Sequence, residues 1–235
     1  MVTQISITKS NKQQLAAASA LSEYLETIGC KHAYIGGFAW ALLGSDRPTE
    51  DVDVLIESKD LTAIREKLTE LNQHFSIAGF KLFYIKELIG DLKGDELIRA
   101  ARDNVMIETL EAGKLGLPTV AAPIYPIKQM SGADIPILHP SILILTKMKR
   151  WCLNYESDRP KTVFKNKSDQ DDLNFLIHWL EEHQMMIDFD HYQGKTKQEL
   201  LVHVRQYRNR LRENTELMES LANVLTPDDW KLLDE

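Results

Sequence analysis

A strand that alternates aspartate with valine is the feature of this sequence that most constrains its fold. Residues 51–56 read DVDVLI. Side chains at positions i and i+2 of a strand point to the same face, so Asp51 and Asp53 are predicted to project together. Val52 and Val54 then face a hydrophobic core. Two carboxylates held about 6–7 Å apart on a rigid strand suit a hard divalent cation such as Mg²⁺. The simpler alternative is a sheet with one solvated face.

A pair of glycines precedes this strand. Gly36 and Gly37 stand between a strand-like segment, 32–35, and a short helical patch, 38–43. At such a turn, bare backbone N–H groups favour an anion such as a phosphate. A phosphate-binding turn beside a pair of metal-binding carboxylates is what phosphoryl or nucleotidyl transfer requires. A glycine turn alone is commonplace, so the inference depends on the combination.

Hydrophobic periodicity predicts an α/β first part and a helical second part. Apolar residues three and four positions apart predict helices, and short apolar runs predict strands. In the first part these are helices over 10–28 and 59–73, strands over 75–85 and 105–110, and a loop-like segment over 113–138 with a short edge strand at 119–122. In the second part, helices are predicted over 141–151, 173–180 and 197–225.

Composition and charge exclude several classes of protein. The formal net charge of −7 disfavours non-specific binding to DNA or RNA, although it is compatible with a local basic patch. No apolar run reaches the roughly 18 residues that a membrane span needs. Cys30 and Cys152 are far apart, and the histidines show no HExxH-like spacing, so neither a disulfide framework nor a zinc site is expected. We expect a cytoplasmic protein.

The order of these motifs resembles the nucleotidyltransferase superfamily that includes DNA polymerase beta. Its pattern is a hydrophobic residue before Gly-Gly or Gly-Ser, a short helix, and two acidic residues that alternate with hydrophobic ones on the next strand. Residues 35–37 (IGG) and 51–54 (DVDV) match it. Residues 47–51 (RPTED) are similar to the R-x-[ST]-x-D prelude of abortive-infection-type nucleotidyltransferases and of uncharacterised fungal and bacterial relatives. The resemblance implies that Arg47 and Thr49 help to bind a nucleotide.

A third acidic residue on a neighbouring strand completes the site in that superfamily. The best match is Glu108 in residues 105–110 (VMIETL), although the superfamily more often has Asp there. Phe38 is a second departure, because many members have Ser after the glycine pair. The alternative for Glu108 is an exposed strand glutamate. Both departures support a rival hypothesis, a weakened or inactive nucleotidyltransferase-fold protein that acts as a nucleotide-binding or interaction module.

Two segments of the second part add to the resemblance. Residues 139–147 (HPSILILTK) resemble the helix that brings a lysine toward the active cleft, and residues 167–173 (KSDQDDL) look like the K-D-x-x-D-L string of the same relatives. The implied roles are that Lys147 offsets triphosphate charge and that Asp172 orients Lys147 or another basic group. The alternative is a capped surface helix with acidic residues in its first turn, where the helix dipole favours them.

The resemblance implies an α+β fold, with a mixed-sheet nucleotidyltransferase core over 1–138 and a helical domain over 139–235. It implies an enzyme that uses two Mg²⁺ ions to move an NMP from an NTP to a hydroxyl acceptor, a small molecule, protein or RNA, and that releases pyrophosphate. A toxin or antitoxin-like enzyme acting on tRNA is a further alternative, which the acidic charge disfavours. The expected catalytic metal ligands are Asp51, Asp53 and Glu108, and the expected nucleotide-binding residues are Gly36, Gly37, Arg47, Thr49, Lys147 and Asp172.

Overall fold

The computed structural model describes residues 4–121, 123–129 and 134–234. These residues form a mixed sheet and a set of helices, so the predicted α+β fold class is confirmed. Within the same residues, no helix combines the length and the apolar character that a membrane crossing requires. The cytoplasmic location stays a prediction.

The chain divides into two compact units. The first contains the residues up to Lys114 together with Ile124–Ile137, and the second contains Leu115–Pro123 and the residues from Leu138 onward. A short segment of the middle of the chain therefore belongs to the second unit. The predicted domain limits, 1–138 and 139–235, stay a prediction.

A seven-stranded mixed sheet forms the centre of the first unit, with the strand order β3-β4-β5-β2-β1-β7-β6. Short apolar runs form these strands, as the sequence pattern predicts for most of them. The strands are β1 His32–Ile35, β2 Asp51–Ile56, β3 Phe75–Ala78, β4 Lys81–Tyr84, β5 Val105–Glu111, β6 Ile124–Ile127 and β7 Ile135–Leu138.

Strand β2 lies in the middle of this sheet. It pairs in parallel with β5 and antiparallel with β1. Val52 and Val54 are fully buried, whereas Asp51 and Asp53 are half-buried on the other face. The alternation of the sequence therefore corresponds to the two faces of the strand.

Four helices of the first unit accompany the sheet: α1 Asn11–Thr27, α2 Gly36–Leu42, α3 Leu61–Leu71 and α4 Gly94–Ala100. Helix α1 is joined to β1 by buried hydrogen bonds. The Tyr34 hydroxyl donates to the Ala18 carbonyl at 2.6 Å, and it lies 3.1 Å from Ser22 Oγ. These bonds explain why a helix with an apolar stripe carries a fully buried serine, since the side chain is satisfied by its neighbour.

Two strand predictions for the predicted α/β part of the chain are wrong. The single strand predicted over 75–85 is a hairpin of β3 and β4, because Gly79 adopts φ +60° and turns the chain. No strand forms at 119–121, and Ala122 lies outside the described residues. The segment predicted as loop-like contains β6 and β7 instead.

The second unit is helical. Its described helices are α5 Pro140–Asn154, α6 Pro160–Glu182, α7 Lys197–Leu211, α8 Thr215–Asn223 and α9 Pro227–Leu232. Helix α5 packs against α6 and α7, and α6 also packs against α8. The helix predicted over 173–180 is thus only the second half of α6. Its first half was missed because the buried stripe continues there through polar residues: Asn166, Asp169 and Asp172.

A network of charged side chains joins α5 to α6. Lys147 Nζ lies 2.7 Å from Asp172 Oδ2 and 3.2 Å from Asp169 Oδ1. Arg150 also donates to Asp169, with Nε 2.7 Å from Oδ2, and a second guanidinium nitrogen contacts Oδ1. Lys147, Asp169 and Asp172 are each less than 5% exposed. Two helices that carry polar groups at their contact are therefore held by opposite charges rather than by apolar packing alone.

The carboxyl of Asp169 is stabilised in its charged form. Burial by itself raises the pKa of Asp169, but hydrogen bonds from Arg150 and the charge of Lys147 outweigh burial, so the pKa lies below its ordinary value. Because the folded-state pKa is lower than the unfolded one, this group stabilises the fold above the unfolded pKa of about 4. That contribution is lost as the pH falls through the folded-state pKa.

Replacing Lys147 by Met should lower the free energy of unfolding by about 3–5 kcal/mol, because the change removes a cation that two buried carboxylates share. Urea denaturation of the whole chain measures the loss. The control is Lys59→Met at an exposed lysine that pairs with no other described residue, where the change should stay within about 0.5 kcal/mol. Equal losses in the two variants would show that the network does not stabilise the fold.

Candidate functional site

Three carboxylates converge where β2 and β5 lie side by side. The parallel register places Asp53 directly opposite Glu108, and Asp51 lies two residues earlier on the same face of β2. Asp51, Asp53 and Glu108 each offer one oxygen, and these oxygens all lie within 4.8 Å of one another. The two aspartates are half-buried and Glu108 is exposed. The sequence prediction of a three-acid cluster corresponds to this arrangement.

The cluster carries an electrostatic cost. Two unit negative charges 4.8 Å apart repel by about 1 kcal/mol in water and by 3–4 kcal/mol at an effective dielectric of about 20. A divalent cation between the three oxygens would convert this repulsion into attraction. Hard carboxylate oxygens are the donors that Mg²⁺ prefers, and the exposed position of Glu108 leaves the cluster open to solvent. The donor set therefore fits a magnesium ion.

Gly36 is needed for the approach of the Asp53 carboxylate. Strand β1 ends at Ile35, opposite Asp53, and the next residue turns into α2 with φ +65°. A Cβ at Gly36 would overlap Asp53 Oδ2 and lie 2.8 Å from Asp53 Cγ. The first glycine of the pair thus has a steric role besides any contact with a phosphate, because only a residue without a side chain fits over this carboxylate.

Gly37 makes the matching approach to the loop before β2. A Cβ there would lie 2.6 Å from Thr49 Oγ1 and 3.1 Å from a guanidinium nitrogen of Arg47. Thr49 is buried, and its hydroxyl donates to the Asp51 carbonyl at 3.1 Å and lies 3.4 Å from Asp51 Oδ1. The structure therefore brings together the predicted site residues of the first unit: Gly36, Gly37, Arg47, Thr49, Asp51, Asp53 and Glu108.

Gln14 on α1 supports this loop and was missed by the sequence analysis. Its side-chain amide donates to the Thr49 carbonyl at 2.9 Å, and the residue is fully buried. The sequence does indicate that Gln14 is buried, because it lies on the helix face that also carries Ala18, Leu21 and Leu25. A polar residue within an apolar stripe usually has a buried hydrogen-bond partner.

Phe38 follows the glycine pair but belongs to the core. It is 1% exposed and its ring packs edge-on against Tyr34, with ring centroids 5.4 Å apart. The aromatic side chain therefore stabilises the junction of β1 and α2. It supplies no hydroxyl to the site, which is the departure noted from the sequence.

Lys147 and Asp172 lie in the second unit, within the charged network of α5 and α6. Asp172 is bound to Lys147, as the resemblance implies for an orienting residue. The nucleotide-binding roles of the two residues stay predictions. Asp169 and Arg150 complete the network and were not assigned to the site.

Comparisons with known proteins support the fold. No protein-family model matches the sequence, and no curated protein matches it significantly. A crystal structure of an antigenic nucleotidyltransferase-like protein from Paracoccidioides brasiliensis matches with a TM-score of 0.65 and 17% sequence identity, over 92% of this chain and 94% of that chain. The solution structure of the antibiotic-resistance factor ANT(2'')-Ia matches with a TM-score of 0.47 and 12% identity, over 89% of this chain and 99% of that chain. On the first of these likenesses, the chain has the fold of the nucleotidyltransferase superfamily.

Proposed function

We propose that this chain is a Mg²⁺-dependent nucleotidyltransferase that moves an NMP from an NTP to a hydroxyl acceptor and releases pyrophosphate. The observation that carries the proposal is the convergence of Asp51, Asp53 and Glu108 on two neighbouring strands. The nucleotidyltransferase fold supports the same class of reaction. The acceptor stays open among a small molecule, a protein and RNA.

In this proposal, Asp51, Asp53 and Glu108 would hold two Mg²⁺ ions, with Asp51 and Asp53 on the side of the NTP phosphates and Glu108 on the side of the acceptor. The bound ions would neutralise phosphate charge and lower the pKa of the acceptor hydroxyl. Glu108 suits the acceptor side because it is the exposed member of the cluster.

The remaining first-unit residues position the donor. Arg47 lies against the glycine turn, where its guanidinium can form charge-assisted hydrogen bonds with phosphate oxygens. Gly36 and Gly37 are proposed to bind the triphosphate through their backbone N–H groups, and the absence of a Cβ at each makes room for Asp53, Thr49 and Arg47. Thr49 acts through Asp51, whose carbonyl accepts its hydrogen bond.

The chemistry is an in-line displacement at phosphorus. A bond forms between the acceptor oxygen and the α-phosphorus, and the bond from the α-phosphorus to the oxygen that bridges to the β-phosphorus breaks. The electron pair of the broken bond leaves on pyrophosphate, and the hydroxyl proton is released to water. The chain's residues contribute by holding the reactants and by countering the charge of the leaving group.

The rival hypothesis is a protein that binds nucleotide without transferring it. The core position of Phe38 favours it, because the site lacks the hydroxyl that many superfamily members have there. The two hypotheses differ in whether the chain releases pyrophosphate from a bound NTP.

Replacing both Asp51 and Asp53 by Asn should lower the affinity for Mg²⁺-ATP by more than about 100-fold, because even the loss of groups that support a metal ligand costs 10–100-fold. Isothermal titration calorimetry measures the affinity in the presence of Mg²⁺. The control is Asp46→Asn combined with Glu66→Gln, which removes the same charge from two exposed positions of the same unit. Unchanged affinity in the Asp51/Asp53 variant would show that these aspartates do not bind the metal ion.

Replacing Gly36 by Ala should abolish binding of Mn²⁺, used as a spectroscopic substitute for Mg²⁺, because the added methyl displaces the Asp53 carboxylate. Gly29→Ala is a matched control, since Gly29 has φ +67° and open space around it. Both variants should lose about 1 kcal/mol of stability through backbone strain. Only Gly36→Ala should lose the electron paramagnetic resonance signal of bound Mn²⁺. Loss in both, or in neither, contradicts the steric role of Gly36.

Pyrophosphate release distinguishes an enzyme from a binding module. The wild-type chain, incubated with Mg²⁺, each NTP and a panel of hydroxyl acceptors, should release pyrophosphate with at least one acceptor, and Glu108→Gln should reduce that rate by about tenfold or more. Mg²⁺-dependent NTP binding with no release across the panel would favour the binding module. The assay reads turnover directly, and circular dichroism verifies that Glu108→Gln is folded.

A further inference from the structure

The beginning of α6 carries an exposed group of cations. Arg159 is the N-cap residue, and Lys161, Lys165 and Lys167 follow in the first turns of the helix. All four side chains belong to exposed residues, and no Asp or Glu lies between positions 159 and 167. This is a concentration of positive charge on a chain whose net charge is −7.

These cations do not help the helix. Positive charge near a helix N-terminus opposes the helix dipole, and an acidic residue is favoured there instead. The first turn of α6 has no acidic residue, and the N-cap side chain makes no capping hydrogen bond. None of the four side chains forms an ion pair with another described residue. Their placement therefore has no local structural benefit.

An exposed aromatic ring lies among them. Phe164 is 79% exposed, and the neighbouring Val163 is 49% exposed. Lys161 and Lys167 are three positions before and after Phe164, so helical spacing makes both of them neighbours of the ring. The surface thus presents one flat apolar ring surrounded by cations. We call Arg159, Lys161, Phe164, Lys165 and Lys167 the α6 basic surface.

We propose that the α6 basic surface binds single-stranded nucleic acid. Every base has a flat face that can stack on an exposed aromatic ring, and the flanking lysines would contact the phosphates on either side. The acidic net charge does not oppose such binding at short range, because charges more than about 8 Å apart are largely screened at physiological salt. The proposal concerns a surface of the second unit and does not depend on the acidic cluster of the first.

An anionic membrane is the competing partner for a basic surface with an exposed aromatic residue. Interfacial helices bind membranes through a continuous apolar face along the helix. In α6 the strongly exposed apolar residues are two adjacent positions, Val163 and Phe164, and the buried stripe of the helix begins at Asn166. Two neighbouring residues suit a single stacked base better than insertion into lipid.

Fluorescence anisotropy with labelled oligo(U) RNA and oligo(dT) DNA of about 20 nucleotides tests the proposal. The titrations contain neither NTP nor a divalent cation, so the outcome is independent of nucleotidyl transfer. We expect a dissociation constant of about 10⁻⁴ to 10⁻⁶ M, with single strands bound more tightly than a duplex of the same length. Failure to bind either single strand in that range overturns the proposal.

Two variants with matched controls locate the binding. Phe164→Ala should weaken binding by about 5- to 140-fold, whereas Phe80→Ala, which removes a 93% exposed ring from the first unit, should not change it. When log affinity is plotted against log salt concentration, the slope is negative. The triple variant Lys161→Gln, Lys165→Gln and Lys167→Gln should make this slope less steep by about 2. The control Lys59→Gln, Lys67→Gln and Lys86→Gln changes the net charge equally at exposed positions elsewhere.

Equal losses in the variants and their controls would show that binding is not located at the α6 basic surface, and would overturn the proposal. Sedimentation with vesicles of phosphatidylcholine and phosphatidylserine gives the remaining outcome. Binding to these vesicles without binding to the oligonucleotides would identify a membrane surface instead. Circular dichroism of each variant verifies that α6 is retained.

Discussion

The parallel pairing of β2 with β5 is the constraint on which the proposed site depends. It places Asp53 opposite Glu108, while the antiparallel pairing of β2 with β1 places the turn at Gly36 over the same carboxylate. A slip of one residue in either pairing would move Asp53 to the other face of the sheet. Burial of Val52 and Val54 prevents such a slip, since it would expose both valines to water.

The glycine pair connects packing with chemistry. A glycine turn between a strand and a helix is usually discussed as an anion site, yet here the space left by each missing side chain is filled by a first-unit residue of the proposed site. Asp53 occupies the space at Gly36, and Thr49 and Arg47 occupy the space at Gly37. The absence of a Cβ at each glycine therefore makes room for the side chains that form the proposed site. In the second unit, by contrast, opposite charges are paired: Lys147 is buried between two helices and contacts Asp169 and Asp172.

The sequence predicts the glycine turn and the alternating strand well, and it predicts less well the elements that depend on contacts with distant residues. The alternation of residues 51–54 and the glycine turn are local patterns, and the structure has both. Strands β6 and β7 were missed because each is short and contains a proline, so only pairing with distant residues, such as that of Tyr34 with Ile137, makes them strands. The first half of α6 was missed for another reason: its buried stripe is polar, and hydrophobic periodicity detects only apolar stripes. The burial of Lys147 could not be predicted from local sequence either, because its partners Asp169 and Asp172 lie more than twenty residues away.

The central claim is that three carboxylates on β2 and β5 bind the metal ions of a nucleotidyl-transfer site. Anomalous diffraction from crystals grown with Mn²⁺ and a non-hydrolysable ATP analogue tests it most directly. We expect Mn²⁺ peaks within about 2.0–2.4 Å of oxygens of Asp51, Asp53 and Glu108, with the analogue's phosphates completing the coordination. Nucleotide bound without a metal peak at these side chains, or metal bound elsewhere, would contradict the account.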